Sequence, residues 1–360
     1  MTSSLYVTFD HVYKDSGAGK VCLNEIQALS EVTELRDVVA KSYDGENPSN
    51  FTFHRVDVDS VYGYNPFIYD YIVSDVLNVN PDLAHFSCSP ASKIMDKVNP
   101  KKSVCNIVAH HLKTSIEEHE RIFQQPYPFI HNTDPYLHDL LVKHSKRVDC
   151  VFTPSNHSAE WIKENLQPKQ VKVIPHGVDL PFATSQYPEQ FTVGYMGAFG
   201  PDKGLLYLLL AWEKLMWKDA KLVFAGSCCK SLEPWVREFA PNSNIELMGW
   251  MEDTKQFFDA VSCVCVPSVT EGFGLLTLEA MGHGKPAVVS TGAGSEMVVD
   301  NHITGIKTVP RNVGSIIEGL INMRNCNFMK MGRLARKKAE HYTWDIIREW
   351  YKGAYKEITE

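Results

Sequence analysis

Short apolar runs alternate along this chain with longer stretches in which apolar residues recur at helical spacing. In the first half the short runs fall at residues 5–9, 83–86, 104–109, 148–152 and 171–174, and they read as strands. Residues 21–31, with Val21, Cys22, Ile26 and Leu29 apolar, read as a helix, as do 137–146 and 158–165. Residues 15–19 form a turn-rich loop, and the stretch 44–80 is irregular. A linker runs from Pro175 through Gln190, and the pattern then restarts. Strands are expected at 191–195, 221–225, 245–247, 261–266 and 287–289. Helices are expected at 202–218, 232–239, 254–259 and 275–282, with an amphipathic helix rich in Trp and Tyr at 344–358. Strands alternating with helices imply parallel, doubly wound sheets, and the restart implies two of them facing a cleft.

Length agrees with this division, since 360 residues exceed one ordinary core. The expected domains are residues 1–180 and 181–343. Hydrophobic content of 44% and charged content of 22% are those of a globular protein. A net charge of −7 argues against a nucleic-acid binder held by bulk electrostatics. No apolar run is long enough to cross a bilayer, and the first residues lack a signal peptide's basic start and apolar core. The expected location is therefore cytoplasmic, with membrane contact at most peripheral, as no basic amphipathic helix compels more. Of the nine cysteines, Cys105, Cys150, Cys263 and Cys265 lie in apolar runs, so free thiols in a reducing compartment are expected. Neither Cys263-Val-Cys265 nor Cys228-Cys229 has zinc spacing.

The densest chemistry lies in Glu271-Gly-Phe-Gly-Leu-Leu-Thr-Leu-Glu279. Gly272 and Gly274 lack a Cβ, so backbone N–H groups around Phe273 can approach a ligand closely. The helix that follows, opening at Leu275, points its positive end at the same place and favours phosphate or sugar oxygens. Glu279 lies among Leu275, Leu276, Leu278, Ala280 and Met281, where a carboxylate is costly unless paired. Lys203 follows Gly200-Pro-Asp202 at a helix start, where its charge opposes the dipole by about 0.3–1 kcal/mol. A bound pyrophosphate would remove that conflict. A P-loop is excluded, since Lys14 and Val21 stand where it requires Gly and Ser or Thr. The dinucleotide fingerprint is also missing, because Gly17-Ala-Gly19 lacks the third glycine. Asp57-Val-Asp59 is a lone Asp-x-Asp outside any clear strand and reads as loop; no metal site and no cofactor are expected.

In order, Ile174-Pro-His-Gly-Val-Asp179, Gly197 to Gly204, Phe224-Ala-Gly226, Met248-Gly-Trp250, Glu271 to Glu279 and Gly284-Lys-Pro-Ala-Val-Val289 span about half the chain. This ordered set resembles glycosyltransferase family 4 (glycosyl transferases group 1), retaining enzymes of the GT-B fold. The first half matches more loosely, through Gly17–Gly19, the His110 strand end and Thr153-Pro-Ser155. The resemblance implies two Rossmann-like domains, an acceptor-binding one at 1–180 and a donor-binding one at 181–343, with residues 344–360 crossing back to the first. It implies transfer of a hexose or hexosamine from a UDP- or GDP-sugar to the hydroxyl of a glycan, lipid-linked or small-molecule acceptor, with retention and without metal. Glu271 would contact the transferred sugar, Glu279 the ribose, and Lys203 with Gly197 the diphosphate. Gly272, Phe273, Gly274 and Leu275 would supply backbone N–H groups. Met251 would lie at the nucleobase, and Gly17 and Gly19 in a flexible loop near the diphosphate. His110, or His111 beside it, would face the donor sugar. One departure stands out: the position after Gly197 is commonly a phosphate-binding Arg and here is Ala198. The rivals are a nucleotide-sugar epimerase or hydrolase of the same fold and a non-catalytic nucleotide-sugar-binding protein. The stretch 113–132, with Glu117, Glu118, His119, Glu120 and Arg121, either lines the acceptor pocket or is a solvated helix face.

Overall fold

The computed structural model describes residues 2–8, 11–12, 17–43, 51–56, 73–74, 77–87, 92–107, 118, 121 and 142–360. The chain divides into two compact units. Unit 1 comprises residues 1–109, 129–177 and 344–360; unit 2 comprises 110–128 and 178–343.

In unit 1 the strands are β1 (Ser3–Thr8), β2 (His11–Val12), β3 (Glu34–Ala40), β4 (Ser42–Tyr43), β5 (Thr52–Arg55), β6 (Leu83–Ser87), β7 (Lys102–Asn106), β8 (Cys150–Thr153) and β9 (Val171–Val173). The helices are α1 (Gly17–Val32), α2 (Ser92–Val98) and α3 (Asn156–Asn165). Seven strands form one parallel sheet in the order β5-β3-β1-β6-β7-β8-β9. All six residues of the central β1 are buried, as a parallel strand covered on both faces requires. β2 and β4 pair separately.

Unit 2 repeats the plan with β10 (Phe191–Met196), β11 (Ala220–Ala225), β12 (Ile245–Gly249), β13 (Cys263–Val266), β14 (Ala287–Ser290) and β15 (Gly305–Thr308). Its helices are α4 (Leu205–Leu215), α5 (Cys228–Phe239), α6 (Thr254–Ala260), α7 (Leu275–Gly282), α8 (Val313–Asn325) and α9 (Phe328–Ala339). The sheet order is β12-β11-β10-β13-β14-β15, again all parallel. In both sheets the order runs outward from the first strand in one direction and then reverses, the doubly wound arrangement with a switch point beside that first strand. The core of unit 2 is built from buried Val193, Leu208, Trp212, Phe224, Phe257 and Val264, among others.

The last helix, α10 (Trp344–Thr359), belongs to unit 1. It buries Trp344, Ile347, Tyr351, Ala354, Tyr355 and Ile358, a 3–4 spacing that forms one apolar stripe. Trp344 fills the space beside Gly177, where a Cβ would lie 2.6 Å from the indole.

Several sequence-based expectations change. Residues 17–19 are the first turn of α1 rather than a loop, so Gly17 and Gly19 are helical. The expected helix 202–218 is broken at Gly204. Pro201–Lys203 form a separate 3₁₀ turn, and α4 starts only after Gly204 adopts φ +68. Lys203 therefore does not lie in the first turn of α4. The strand expected at 261–266 begins at Cys263, because Val261 caps α6. α9 supplies a basic amphipathic helix that periodicity had not revealed. The described cysteines are free thiols.

Candidate functional site

The unit 2 switch point lies between β10 and β13, and open parallel sheets bind ligands beyond the carboxyl ends of strands at such a point. β10 ends at Met196 and runs into Gly197–Lys203; β13 ends at Val266 and runs into Pro267–Gly274. Two backbone bonds join these loops, as the N–H groups of Val269 and Thr270 donate to the Asp202 carbonyl at 2.7 and 3.4 Å. Gly204 passes so close to Pro267 that a Cβ there would lie 2.1 Å from its carbonyl oxygen. On the other side Glu271 is fixed by β14's extension: its N–H donates to Gly292 O at 2.9 Å, and its carbonyl accepts from Gly294 at 3.0 Å.

This frame brings Lys203 and Glu271 together. The Lys203 ammonium donates to Glu271 Oε1 at 2.9 Å and lies 3.2 Å from Asp202 Oδ2. Ser268 Oγ donates to Glu271 Oε2 at 2.8 Å. The Lys203 and Glu271 side chains keep only 15% and 21% of their exposure, so the pair is largely desolvated yet reachable. Burial alone would lower the Lys203 pKa, but Glu271 and then Asp202 outweigh it and hold the ammonium above the usual lysine range. Lys203 is thus a fixed positive charge bridging two acids. Thr270 Oγ1 is buried beside them without a hydrogen-bond partner among the described residues.

The remaining unit 2 candidates surround this pair. Gly272 and Phe273 are buried, and Phe273 O accepts from Ser295 N at 2.6 Å. Gly274 caps α7 in the left-handed region with no side-chain cap, so the helix opens at Leu275 beside Glu271. Glu279 is half-buried one turn into α7. Gly197, Gly226 and Gly249 end three adjacent strands, all with positive φ. Gly226 N donates to Gly249 O at 2.7 Å, and a Cβ on Gly226 would lie 2.8 Å from Gly197 O. The strand ends thus form a shelf without side chains, leading from Lys203 toward half-buried Met251. Ala198 is exposed; its carbonyl accepts from Tyr195 OH at 3.0 Å.

His110 and His111 lie outside the described residues, as do Asp57 and Asp59, while Gly17 and Gly19 belong to α1 of unit 1. Sequence reasoning missed Asp202 as a partner of Lys203. The signal was available, because an acid adjacent to a cation at a short turn can share its ion pairs. Glu118 is also not a solvated face: it is buried, accepts from Tyr207 OH at 2.8 Å and pairs with Arg121 and Arg311.

Comparison with known proteins agrees with this geometry. Residues 190–325, which contain both switch-point loops, match the family described as glycosyl transferases group 1. An uncharacterized glycosyltransferase of Methanocaldococcus jannaschii is 31% identical over 170 residues, 45% of this chain and 44% of that protein. The UDP-Gal:alpha-D-GlcNAc-diphosphoundecaprenol alpha-1,3-galactosyltransferase of Escherichia coli is 26% identical over 210 residues, 52% of this chain and 54% of its own. The chain therefore spans about half the length of such curated relatives. Among solved structures, sucrose-phosphate synthase from Thermosynechococcus elongatus superposes with a TM-score of 0.75 at 16% identity, covering 99% of each chain. Anabaena HepE, in a complex with UDP and glucose, superposes at 0.70 with 16% identity, covering 99% of this chain and 100% of that one. Residues 190–325 are thus similar to the glycosyl transferases of group 1, and the two parallel Rossmann-like sheets of this chain have the GT-B fold.

Proposed function

We propose that this protein transfers a hexose or hexosamine from a nucleoside diphosphate sugar to an acceptor hydroxyl. The observation that carries this reading is the Lys203–Glu271 pair at the β10/β13 switch point, beside the uncapped start of α7. Lys203 is kept charged by its acids, and a diphosphate offers it oxygens of higher charge density. As the diphosphate draws the ammonium away, Glu271 is released to accept hydrogen bonds from the hydroxyls of the transferred sugar. Backbone N–H groups at Gly272–Leu275 and the α7 dipole stabilise charge on the leaving phosphate. Glu279 binds the ribose hydroxyls, Gly197 makes room for the phosphates, and Met251 borders the base. His110 serves the donor sugar from the preceding segment.

In the reaction the acceptor oxygen forms a bond to the anomeric carbon as the bond from that carbon to the β-phosphate oxygen breaks. The electron pair leaves on the nucleoside diphosphate, and the acceptor's proton passes to the departing phosphate oxygen. Attack on the face that the phosphate leaves gives retention. Charge development is met by Lys203 and helix N–H groups, so the reading needs no metal. The UDP-Gal in the name of one relative and the UDP and glucose bound in one structural neighbour favour a UDP-sugar.

A second reading keeps the donor site and drops the chemistry. Ala198 is exposed and uncharged, in the same loop as a lysine already shared by two acids. That balance favours a protein that binds a nucleotide sugar without turning it over. One experiment addresses both readings: a thermal-shift screen against UDP- and GDP-sugars, followed by product analysis with and without acceptor glycans. Stabilisation with new glycosidic product supports transfer; stabilisation with unchanged donor supports binding alone. No shift with any nucleotide sugar defeats both.

A further inference from the structure

The donor site leaves one chemically distinctive face of unit 2 unused. α9 buries Met331, Gly332, Ala335 and Ala339 and turns Met329, Lys330, Arg333 and Lys337 outward. Positions 329, 333 and 337 are four apart and share one face, with Lys330 beside them. The other cations of this helix are engaged. Arg336 donates to Pro181 O at 2.9 Å and to Gly282 O, and its Nε lies 4.0 Å from Glu340; Lys338 holds Asp300 at 2.9 Å. Lys330, Arg333 and Lys337 make no ion pair among the described residues, so their charge faces solvent.

Residues 181–187, outside any helix or strand, run beside this helix. They are tied at one end by Pro181 to Arg336. At the other end, the Tyr187 ring packs 5.6 Å from that of Phe328, and its hydroxyl donates to Gly284 O at 2.5 Å. Between the ties, Phe182, Ala183 and Thr184 are exposed, and Phe182 is 106% exposed, the most of any large hydrophobic residue described. The same surface thus combines three uncommitted cations with two protruding apolar side chains, Phe182 and Met329.

The chain as a whole carries −7 and would be repelled by an acidic bilayer. At physiological salt, charges beyond about 8 Å are screened, so the local basic face decides the encounter. We propose that the α9 face and Phe182 form a docking surface for an anionic lipid bilayer, with Phe182 and Met329 entering the headgroup region and Lys330, Arg333 and Lys337 meeting lipid phosphates. A bare polyanion such as a nucleic acid would use the cations and leave Phe182 idle, and the exposed phenylalanine favours the bilayer. The proposal does not depend on the donor reading.

The test is co-sedimentation of the full chain with phosphatidylcholine vesicles and with vesicles also containing phosphatidylglycerol, at low and high salt. The expected result is pelleting with the anionic vesicles alone, reversed by salt. Lys330→Glu, Arg333→Glu and Lys337→Glu together should abolish it, and Phe182→Ser should weaken it on the order of tenfold. All four side chains are exposed, so an unchanged melting temperature controls for folding. The proposal is overturned if the native chain stays in the supernatant, or if the triple variant pellets as the native chain does. It is also overturned if Phe182→Ser has no effect while a single-stranded oligonucleotide displaces the protein, because the face is then a polyanion site.

Discussion

Glu25 on α1 accepts a hydrogen bond from the hydroxyl of Tyr351 on α10 at 3.2 Å, across 326 residues of sequence. The same carboxyl accepts from Tyr6 OH at 2.6 Å and from Asn106 Nδ2. His85 Nε2 lies 3.8 Å away, and His85 Nδ1 meets Tyr355 OH at 2.6 Å. The last helix is thus held to the first and to the strands β1, β6 and β7 by a buried polar hub.

That hub makes the stability of unit 1 depend on pH. Burial raises the Glu25 pKa from 4.5 to about 7, against hydrogen bonds that lower it. The folded state therefore binds the proton more tightly than the unfolded state. The stabilisation is complete below 4.5 and is lost as pH rises through 7, by on the order of 3 kcal/mol. The buried His85 and His176 run the other way, lowered by burial to about 3 and about 4, and cost stability as pH falls below 6.5. Glu25→Gln should remove the alkaline loss alone. Urea midpoints for the two proteins should diverge in favour of Gln between pH 5 and pH 8, with the histidine contribution cancelling. A constant difference across that range would rule out a protonated Glu25.

Lys203→Ala should eliminate the thermal shift given by a UDP-sugar and reduce transfer on the order of a hundredfold or more. Asp202→Asn should act in the opposite direction on binding. It leaves the backbone carbonyl that holds Val269 and Thr270 in place and removes one of the two acids competing for Lys203. Calorimetric titration should show tighter UDP binding; weaker binding would mean that Asp202 orients the lysine rather than competing for it.

Ala198→Arg adds a cation where the structure has an exposed methyl. A charge-assisted bond to phosphate is worth about 1.5–3 kcal/mol, so the nucleotide dissociation constant should fall about tenfold or more. If product formation appears only in this variant, the native chain is a binder.

Treatment with EDTA should leave transfer unchanged, because the proposed charge stabilisation uses Lys203 and backbone N–H groups. Loss of product that magnesium or manganese restores would sink that part of the reading.

Gly204→Ala should destabilise unit 2 by on the order of 2–4 kcal/mol, combining left-handed strain with overpacking. The added methyl meets Pro267 O, the contact that sets the distance between the two loops of the site. Chemical denaturation measures the loss, and an unchanged midpoint would mean that the loops are not so tightly joined.

The buried strands were legible because each is a short apolar run: β10, β11 and β13 stand out in the sequence. β3 was not, since Glu34, Arg36 and Asp37 interrupt its apolar positions. β5 lies at a sheet edge with exposed Thr52, Phe53 and Arg55, so burial leaves little trace in its sequence. α8 did carry a start signal, Asn312, whose side chain accepts from Ser315 N, followed by buried Ile316, Leu320 and Met323. At the site, Lys203 and Glu271 could be named because glycines and helix starts surround them. Their 2.9 Å contact could not, because it depends on two loops meeting across neighbouring strands 68 residues apart.

The placement of α10 in unit 1 bears on how the molecule is made. Residues 178–343 leave the ribosome before 344–360, so the second sheet can close while the first still lacks Trp344, Tyr351 and Tyr355. During that interval Gly177 has no indole beside it, and Glu25 keeps Tyr6 but lacks the hydrogen bond and the cover that Tyr351 provides. Unit 1, most of which is synthesised before unit 2, is then completed after it. A nascent chain stopped short of residue 344 would carry a finished sheet in unit 2 tethered to an open, apolar one, a natural substrate for chaperones and quality-control proteases.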